Sequence, residues 1–278
     1  MEITAKPHGG LCNRILAMNA CLALAERTGG SVRFVWALNH YLNARFEALF
    51  EPLHHPTVPV RVETYRRLPR LYSDRSLPFF KQRLYNRLLK VYQRRHFGRV
   101  LHTHDVRRLI EAGFTFDELA RHDAVYLSFW GSFDGAPVRR EWFRPRAALA
   151  ARAGVVEKPY VSLHVRRTDH ALVTRLTPTE KYVRAMHEEV RRDPDVRFFL
   201  ASDDEEVKAL LAATFPGRVM THQDRPADRD SAAGMVAAAV DLFTLAGGVR
   251  VYGSPLSTFA HVAGELGGVD LIDVARLD

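Results

Sequence analysis

Residues 160–174 read YVSLHVRRTDHALVT. The opening alternates and is apolar, as a strand is, and then His164, Arg166, Arg167, Asp169 and His170 arrive within seven positions. A strand driven toward an interior that ends in five ionisable groups builds either a charged turn or a ligand site. The segments around it decide which.

Downstream the rhythm is regular. After YVSLHV comes a helical TPTEKYVRAMHEEVRRD, with Thr177 expected as N-cap and Pro178 at the first helical position. VRFFLAS, GRVMT, VRVYG and VDLID read as strands, and DEEVKALLAATF, SAAGMVAAAVDLFTLAGG and SPLSTFAHVAGELGG as helices between them. Nearly continuous apolar strands separated by helices indicate parallel βαβ units covered on both faces. Upstream, EITAK (2–6), SVRFVWA (31–37) and AVYLSFW (124–130) are strand-like, and NRILAMNACLALAERTGG is a helix ending in C-cap glycines. The section from 40 to 120 reads as irregular apart from one amphipathic helix near 79–93. GSFDGAPVRREWFRP looks like a connection between halves. The expected architecture is α/β, with a domain over 1–145 and another over 146–278. Ligands in such sheets collect at the carboxyl ends of the strands, so residues 164–170 should sit at a site.

Strand alternation sends Arg166 and Arg167 to opposite sides, so at most one of them faces a ligand, the alternative being a surface turn with a casual ion pair. An arginine fork suits a phosphate, and Asp169 is near enough to orient it. In YGSPLSTFAHVAGEL (252–266) Ser254 is expected to cap a helix, with Pro255 next and Ser257 and Thr258 in the first turn. Such a helix start attracts anions. Asp241 is the lone charge in an apolar helix and needs a partner. A salt bridge would serve, as would the paired N–H donors of a guanine edge. In HGGLCNRI (8–15), Gly9 and Gly10 precede Asn13 and Arg14 at a helix opening. The glycines permit close backbone approach, although the dinucleotide-binding G-x-G-x-x-G spacing is absent.

HVRRTD, FFLASDD, VDLFTLA and SPLSTFAHVA, in that order, resemble the C-terminal half of the GDP-fucose-dependent fucosyltransferases. Within that superfamily the likeness is to the bacterial nodulation and α-1,6-fucosyltransferases, with protein O-fucosyltransferases as cousins. It covers 160–263, and GGLCNR resembles the superfamily's N-terminal turn. The resemblance implies a GT-B-like fold of two Rossmann-like domains facing across a cleft, the first on the acceptor side and the second binding the nucleotide sugar. It implies inverting transfer from a GDP-sugar, fucose first among the sugars, to a glycan or small-molecule acceptor, with no metal or other cofactor. By resemblance Arg166 grips the β-phosphate, His164 lines the nucleotide site and Asp241 reads guanine. Ser257 and Thr258 meet the pyrophosphate, Asp203 and Asp204 are the acidic pair after the second strand, and Asn13 lies near the nucleotide.

There is one departure. Core-fucosylating relatives carry a Lys and a Glu shortly after the motif, where this chain has His170 and Thr174. An inverting transfer wants a base, which leaves His170 or Asp169, or else a different acceptor, with hydrolysis of the nucleotide sugar as the alternative reaction.

Composition sets outer bounds. The 278 residues are 47% hydrophobic and 26% charged, as in ordinary globular chains. No apolar run nears the roughly 20 residues that span a bilayer, and the first residues do not read as a signal peptide. Cys12 and Cys21 on one helix would lie about 13 Å apart, too far to bridge, so a reduced, cytoplasmic protein is expected. The net charge of +8 favours anionic partners. Many of the cations lie in 66–99 among aromatics, which raises nucleic-acid binding as a third reading. The plainer expectation there is a solvated helix whose Phe79, Phe80, Leu84, Leu88 and Val91 pack inward.

Overall fold

The computed structural model describes residues 1–65, 79–167, 171–222, 231–254 and 256–277, with side chains for all of these but 65, 79–82 and 171–173. The chain divides into two compact units. One comprises Met1–Glu47 and Pro52–Pro137, the other Ala48–Glu51 and Val138–Asp278.

The first unit runs β1 (Glu2–Pro7), α1 (Leu11–Thr28), β2 (Ser31–Ala37), β3 (Val60–Tyr65), α3 (Phe79–His96), β4 (Arg99–His102), α4 (Thr103–Glu111) and β5 (Ala124–Phe129). A single turn of helix, α2 (Phe46–Leu49), falls where the two units share chain. The strands form a parallel sheet in the order β3-β2-β1-β5-β4. Ile3 pairs with Val32 on one side and Val125 on the other, so β1 is central and its apolar residues have no exposed face. Helix α1 is apolar around most of its circumference and correspondingly buried, including both cysteines. It stops at Gly29, whose φ of +65° lets its N–H return to the Ala25 carbonyl. The helix begins at Leu11, with Gly10 extended as N-cap, two residues before the opening expected at Asn13.

The section from 40 to 120 is more regular than its sequence pattern implies, since it holds β3, β4 and α4. Both strands lie on the flanks of the sheet, where VRVETY and RVLH can leave charged side chains in water and lose the apolar signature. Helix α3 is present but rotated from the expected setting. Leu84, Leu88 and Val91 are 61%, 61% and 51% exposed, whereas Leu89 and Gln93 are buried. The inward face therefore follows Leu89 and Gln93, one turn apart, and the expected inward leucines face solvent. Phe79 and Phe80 lie outside the described side chains.

The second unit contains α5 (Ala147–Ala153), β6 (Val161–Val165), α6 (Ala171–Leu176), α7 (Thr179–Arg192), β7 (Phe198–Ser202), α8 (Glu205–Thr214), β8 (Val219–Met220), α9 (Ala232–Leu245), β9 (Val251–Gly253), α10 (Thr258–Gly267) and β10 (Leu271–Asp273). Its parallel strands lie in the order β10-β9-β6-β7-β8. Leu163 pairs with Leu200 of β7 and Tyr252 of β9, which makes β6 the central strand. Val161, Leu163, Tyr182, Met186, Phe198 and Leu211 are sealed in one apolar cluster.

Two helix starts differ from expectation. Thr177 is fully buried beside Tyr182, and α7 begins at Thr179 behind Pro178, which is extended at ψ 156°. Helix α10 begins at Thr258 with Ser257 as its N-cap. Ser254 instead closes a preceding turn, its carbonyl accepting from the Ser257 N–H. A serine three residues upstream of another serine offers two capping positions, and the turn selects the later one.

Candidate functional site

In the second sheet the chain moves from β6 toward β7 in one direction and from β6 toward β9 in the other. The order of connection reverses there, the crevice at which open α/β sheets hold ligands. The carboxyl ends of β6 and β9 both deliver polar residues to that edge.

From β6 comes His164. Its ring stacks on Phe259 at 5.0 Å and 23°, and its Nδ1 lies 3.0 Å from Ser257 Oγ. Ser257 accepts from the Ala260 N–H as N-cap of α10. The imidazole and the start of the helix are thus one unit. Gly253, the last residue of β9, permits this closeness, because a Cβ there would stand 2.4 Å from Ala260 Cβ. Ser254 and Ser257 are both buried and Thr258 half-buried. A helix of ten residues presents its first-turn N–H groups and positive dipole end here.

Beyond β6 the chain turns with Arg166 and Arg167, both half-buried. Arg167 is committed to the scaffold. Its Nη2 donates to Thr179 Oγ1 at 3.1 Å, its Nη1 to the Arg166 carbonyl at 3.0 Å, and its guanidinium lies over the Tyr182 ring. Its backbone N–H donates to Asp203 Oδ1 at 2.8 Å. Asp203 is in this way a brace for the arginine turn. Asp204 is the N-cap of α8, accepting from the N–H groups of Glu206 and Val207. Tyr182 donates to the His164 carbonyl at 3.0 Å, and burial first of all pushes its hydroxyl up to about 12. The expected catalytic residues Asp169 and His170 lie outside the described residues, as does Pro255.

Asp241 is half-buried on α9 between the sealed Val240 and Leu242. One turn on, Thr244 Oγ1 meets His222 Nε2 at 2.8 Å, and the His222 ring stands edge-on to Phe199. Sequence reading passed over His222, although it shares a signal with His164, a histidine within two residues of the carboxyl end of a parallel strand.

In the first unit the turn after β1 is built around Arg14. That residue has no exposed surface. Its Nε donates to the Gly9 carbonyl at 2.9 Å, Nη1 to Ala37 at 2.7 Å and Nη2 to Asn39 Oδ1 at 3.2 Å. Burial lowers the guanidinium to about 9, which leaves it charged at neutral pH. All three nitrogens of its fork donate to the turn or around the end of β2, so Arg14 shapes the turn that carries Gly9, Gly10 and Asn13. Gly9 has φ +79° and would crowd Asn13 with any side chain. Gly10 and Asn13 are half-buried, and Asn13 Oδ1 is buried with no hydrogen-bond partner. Among the described residues no cluster of three or more His, Cys, Asp or Glu is set to hold a metal, and no helix is long and apolar enough to cross a membrane.

No protein-family model matches the sequence, and no curated protein matches it. Solved structures do match. The fucosyltransferase NodZ from Bradyrhizobium superposes with a TM-score of 0.69 at 18% identity, covering 98% of this chain and 94% of that one. NodZ alpha-1,6-fucosyltransferase soaked with GDP-fucose gives 0.63 at 17% over the same shares. POFUT1 in complex with GDP gives 0.53 at 14%, covering 97% of each chain. With its two parallel five-stranded sheets, this chain is therefore similar in fold, over nearly its whole length, to the GT-B-like fucosyltransferases.

Proposed function

We propose that the chain is a GDP-sugar glycosyltransferase, with fucose as the sugar, that transfers with inversion and without a metal to a glycan or small-molecule acceptor. The observation that carries the reading is the His164–Ser257 pair, which locks the end of the central strand, two residues before Arg166, to a helix N-terminus. The fold of solved fucosyltransferases, among them one soaked with GDP-fucose, supports it.

In this reading the bond that breaks joins the sugar's anomeric carbon to the β-phosphate oxygen. The electron pair leaves with GDP while the sugar passes through an oxocarbenium-like state. Arg166 and the first turn of α10, with Ser257 and Thr258, neutralise the departing diphosphate. Asp241 accepts from guanine N1–H and N2–H₂. Asn13 and the Gly9–Gly10 turn belong to the acceptor-side domain, in which Asn13 Oδ1 awaits a donor. Asp203 and Arg167 act by holding Arg166 in place. The acceptor hydroxyl must lose its proton to a base, for which Asp169 and His170 stand nearest in sequence.

Calorimetry with GDP, GDP-fucose, UDP and ADP tests the reading, and equal affinity across the bases would remove it. Arg166→Ala should abolish turnover with the fold intact. Asp241→Asn should weaken GDP more than inorganic pyrophosphate, since only the base contact changes.

A second reading keeps the site and makes water the acceptor. It is motivated by Thr174, which stands where the resemblance has a carboxylate and which donates to the Arg167 carbonyl at 3.4 Å. Protein and donor alone should then release free sugar; intact donor after prolonged incubation counts against hydrolysis.

A further inference from the structure

Helix α3 carries an outward face that the proposed reaction does not use. Leu84, Leu88 and Val91, at i, i+4 and i+7, share one stripe and are each more than half exposed. Arg83, Arg87, Lys90 and Arg94 line one side of that stripe, and all are exposed. Tyr85 and Tyr92 line the other side, half-buried. No Asp or Glu occurs from 79 to 104. The imbalance reaches further along the chain. Eleven of the 40 Lys and Arg and one of the 32 Asp and Glu fall in 66–104, so that segment carries +10 and the rest of the chain −2.

We infer that this face of α3 docks the protein on an anionic membrane surface. A solvated structural helix would put its leucines inward and its charges outward, but here three large aliphatic side chains stand in water beside a unipolar row of cations. That combination fits the headgroup boundary of a bilayer, where the aliphatic stripe enters the acyl edge and the long cationic side chains reach acidic lipid phosphates. A nucleic acid would satisfy the cations but leave the aliphatic stripe in water. It would also call for aromatic faces open to stacking, whereas Tyr92 is stacked on His96 at 4.0 Å. Three aliphatic side chains are too few for irreversible insertion, so the docking is reversible and salt-sensitive.

The test is sedimentation of the full chain with vesicles of phosphatidylcholine alone or with about one third phosphatidylserine, the lipid that supplies the negative surface potential. The protein should pellet with the anionic vesicles only and be released by salt. Arg87→Glu with Arg94→Glu should weaken binding at least about tenfold, given roughly fivefold per cation lost at such a surface. Leu84→Asn with Leu88→Asn should weaken it at unchanged charge, and circular dichroism should show both variants folded. Equal binding to neutral vesicles, or undiminished binding by either variant, overturns the inference. So does a single-stranded oligonucleotide that displaces the protein from vesicles and binds the leucine variant as well as the parent.

Discussion

Ser257 Oγ stands 3.0 Å from His164 Nδ1 while also accepting from the Ala260 N–H. A serine hydroxyl has one hydrogen to give. With the cap contact taking one lone pair, the hydroxyl hydrogen and the second lone pair remain for the contact with Nδ1, in which donor and acceptor follow the tautomer of the ring. Ser257→Ala therefore removes a helix cap and the orientation of the ring together. The expected cost is about 1 kcal/mol of stability, the usual value of a lost cap, with a fall in GDP affinity of about tenfold, as for one charge-assisted hydrogen bond. Ser257→Thr keeps the oxygen and should restore most of both. Thermal melts and calorimetry on the two variants check it; an alanine variant that binds GDP like the parent would separate the pair from the nucleotide.

Asp203 is expected to act on Arg166 at second hand. Its Oδ1 holds the Arg167 N–H, and that peptide fixes where Arg166 starts. Asp203→Asn retains an acceptor oxygen and should leave kcat within a few-fold of the parent. Asp203→Ala frees the N–H and loosens the turn, and should lower kcat about tenfold or more with a smaller change in KM, because misplacement harms the transition state more than ground-state binding. Equal losses in both variants would mean that the carboxylate's charge matters, not its hold on the backbone.

The contrast between Arg166 and Arg167 shows how far the sequence reaches. Period-two alternation separates two adjacent arginines, and the structure gives Arg167 to Thr179 and Tyr182. The strands of the second unit were legible because FFLA and VYG are apolar on both faces of a covered sheet. Flanking strands such as VRVETY were not, because water on one side relaxes the pattern. Side-chain hubs left no trace at all. Glu189 is almost fully buried and receives Tyr252 Oη at 2.5 Å, Arg250 at 3.1 Å and Arg192 at 2.9 Å; two of these partners come from more than 60 residues away. No local rule marks such a carboxylate, since its partners meet it only after the sheet has formed. The inward face of α3 failed for a related reason. Its apolar positions fit either of two faces, and packing chose the one with Leu89.

Tyr182 offers a pH-dependent check. Its hydroxyl is raised from the usual 10 to about 12, first by burial, with Thr177 and Arg167 pulling the other way. A group whose folded value is raised contributes stability that is whole below about pH 10 and is lost as pH climbs through about 12. Tyr182→Phe removes both the titration and the hydrogen bond to the His164 carbonyl. Parent and variant share every other titrating group, so their stability difference isolates this one. At neutral pH the variant should be less stable by about 1–2 kcal/mol, and the gap should close between about pH 10 and 12. Urea unfolding at intervals across that range measures it. A gap that stays constant would mean that the hydroxyl ionises alike in folded and unfolded chains.

Arg14 is the most demanding position in the first unit. Its fork joins three acceptors that lie on different segments: Gly9 before the helix, Ala37 at the end of β2, and Asn39 beyond it. The guanidinium also lies 4.9 Å from the Trp36 ring centroid. Lysine brings a charge but no planar fork, so Arg14→Lys should lose contacts at two of the three acceptors and cost about 2–3 kcal/mol. Arg14→Met fills much of the volume yet leaves the Gly9 and Ala37 carbonyls facing an apolar chain, so it should cost as much or more. Neither variant touches the second unit. If the domain bearing His164 and Ser257 holds GDP on its own residues, GDP affinity should persist in any variant that stays folded, while turnover falls because the Gly9–Asn13 turn has moved. Calorimetry with GDP beside a donor-turnover assay separates the two effects. Parallel loss of GDP affinity and turnover in a folded Arg14→Lys protein would show that the first unit's turn takes part in holding the nucleotide itself.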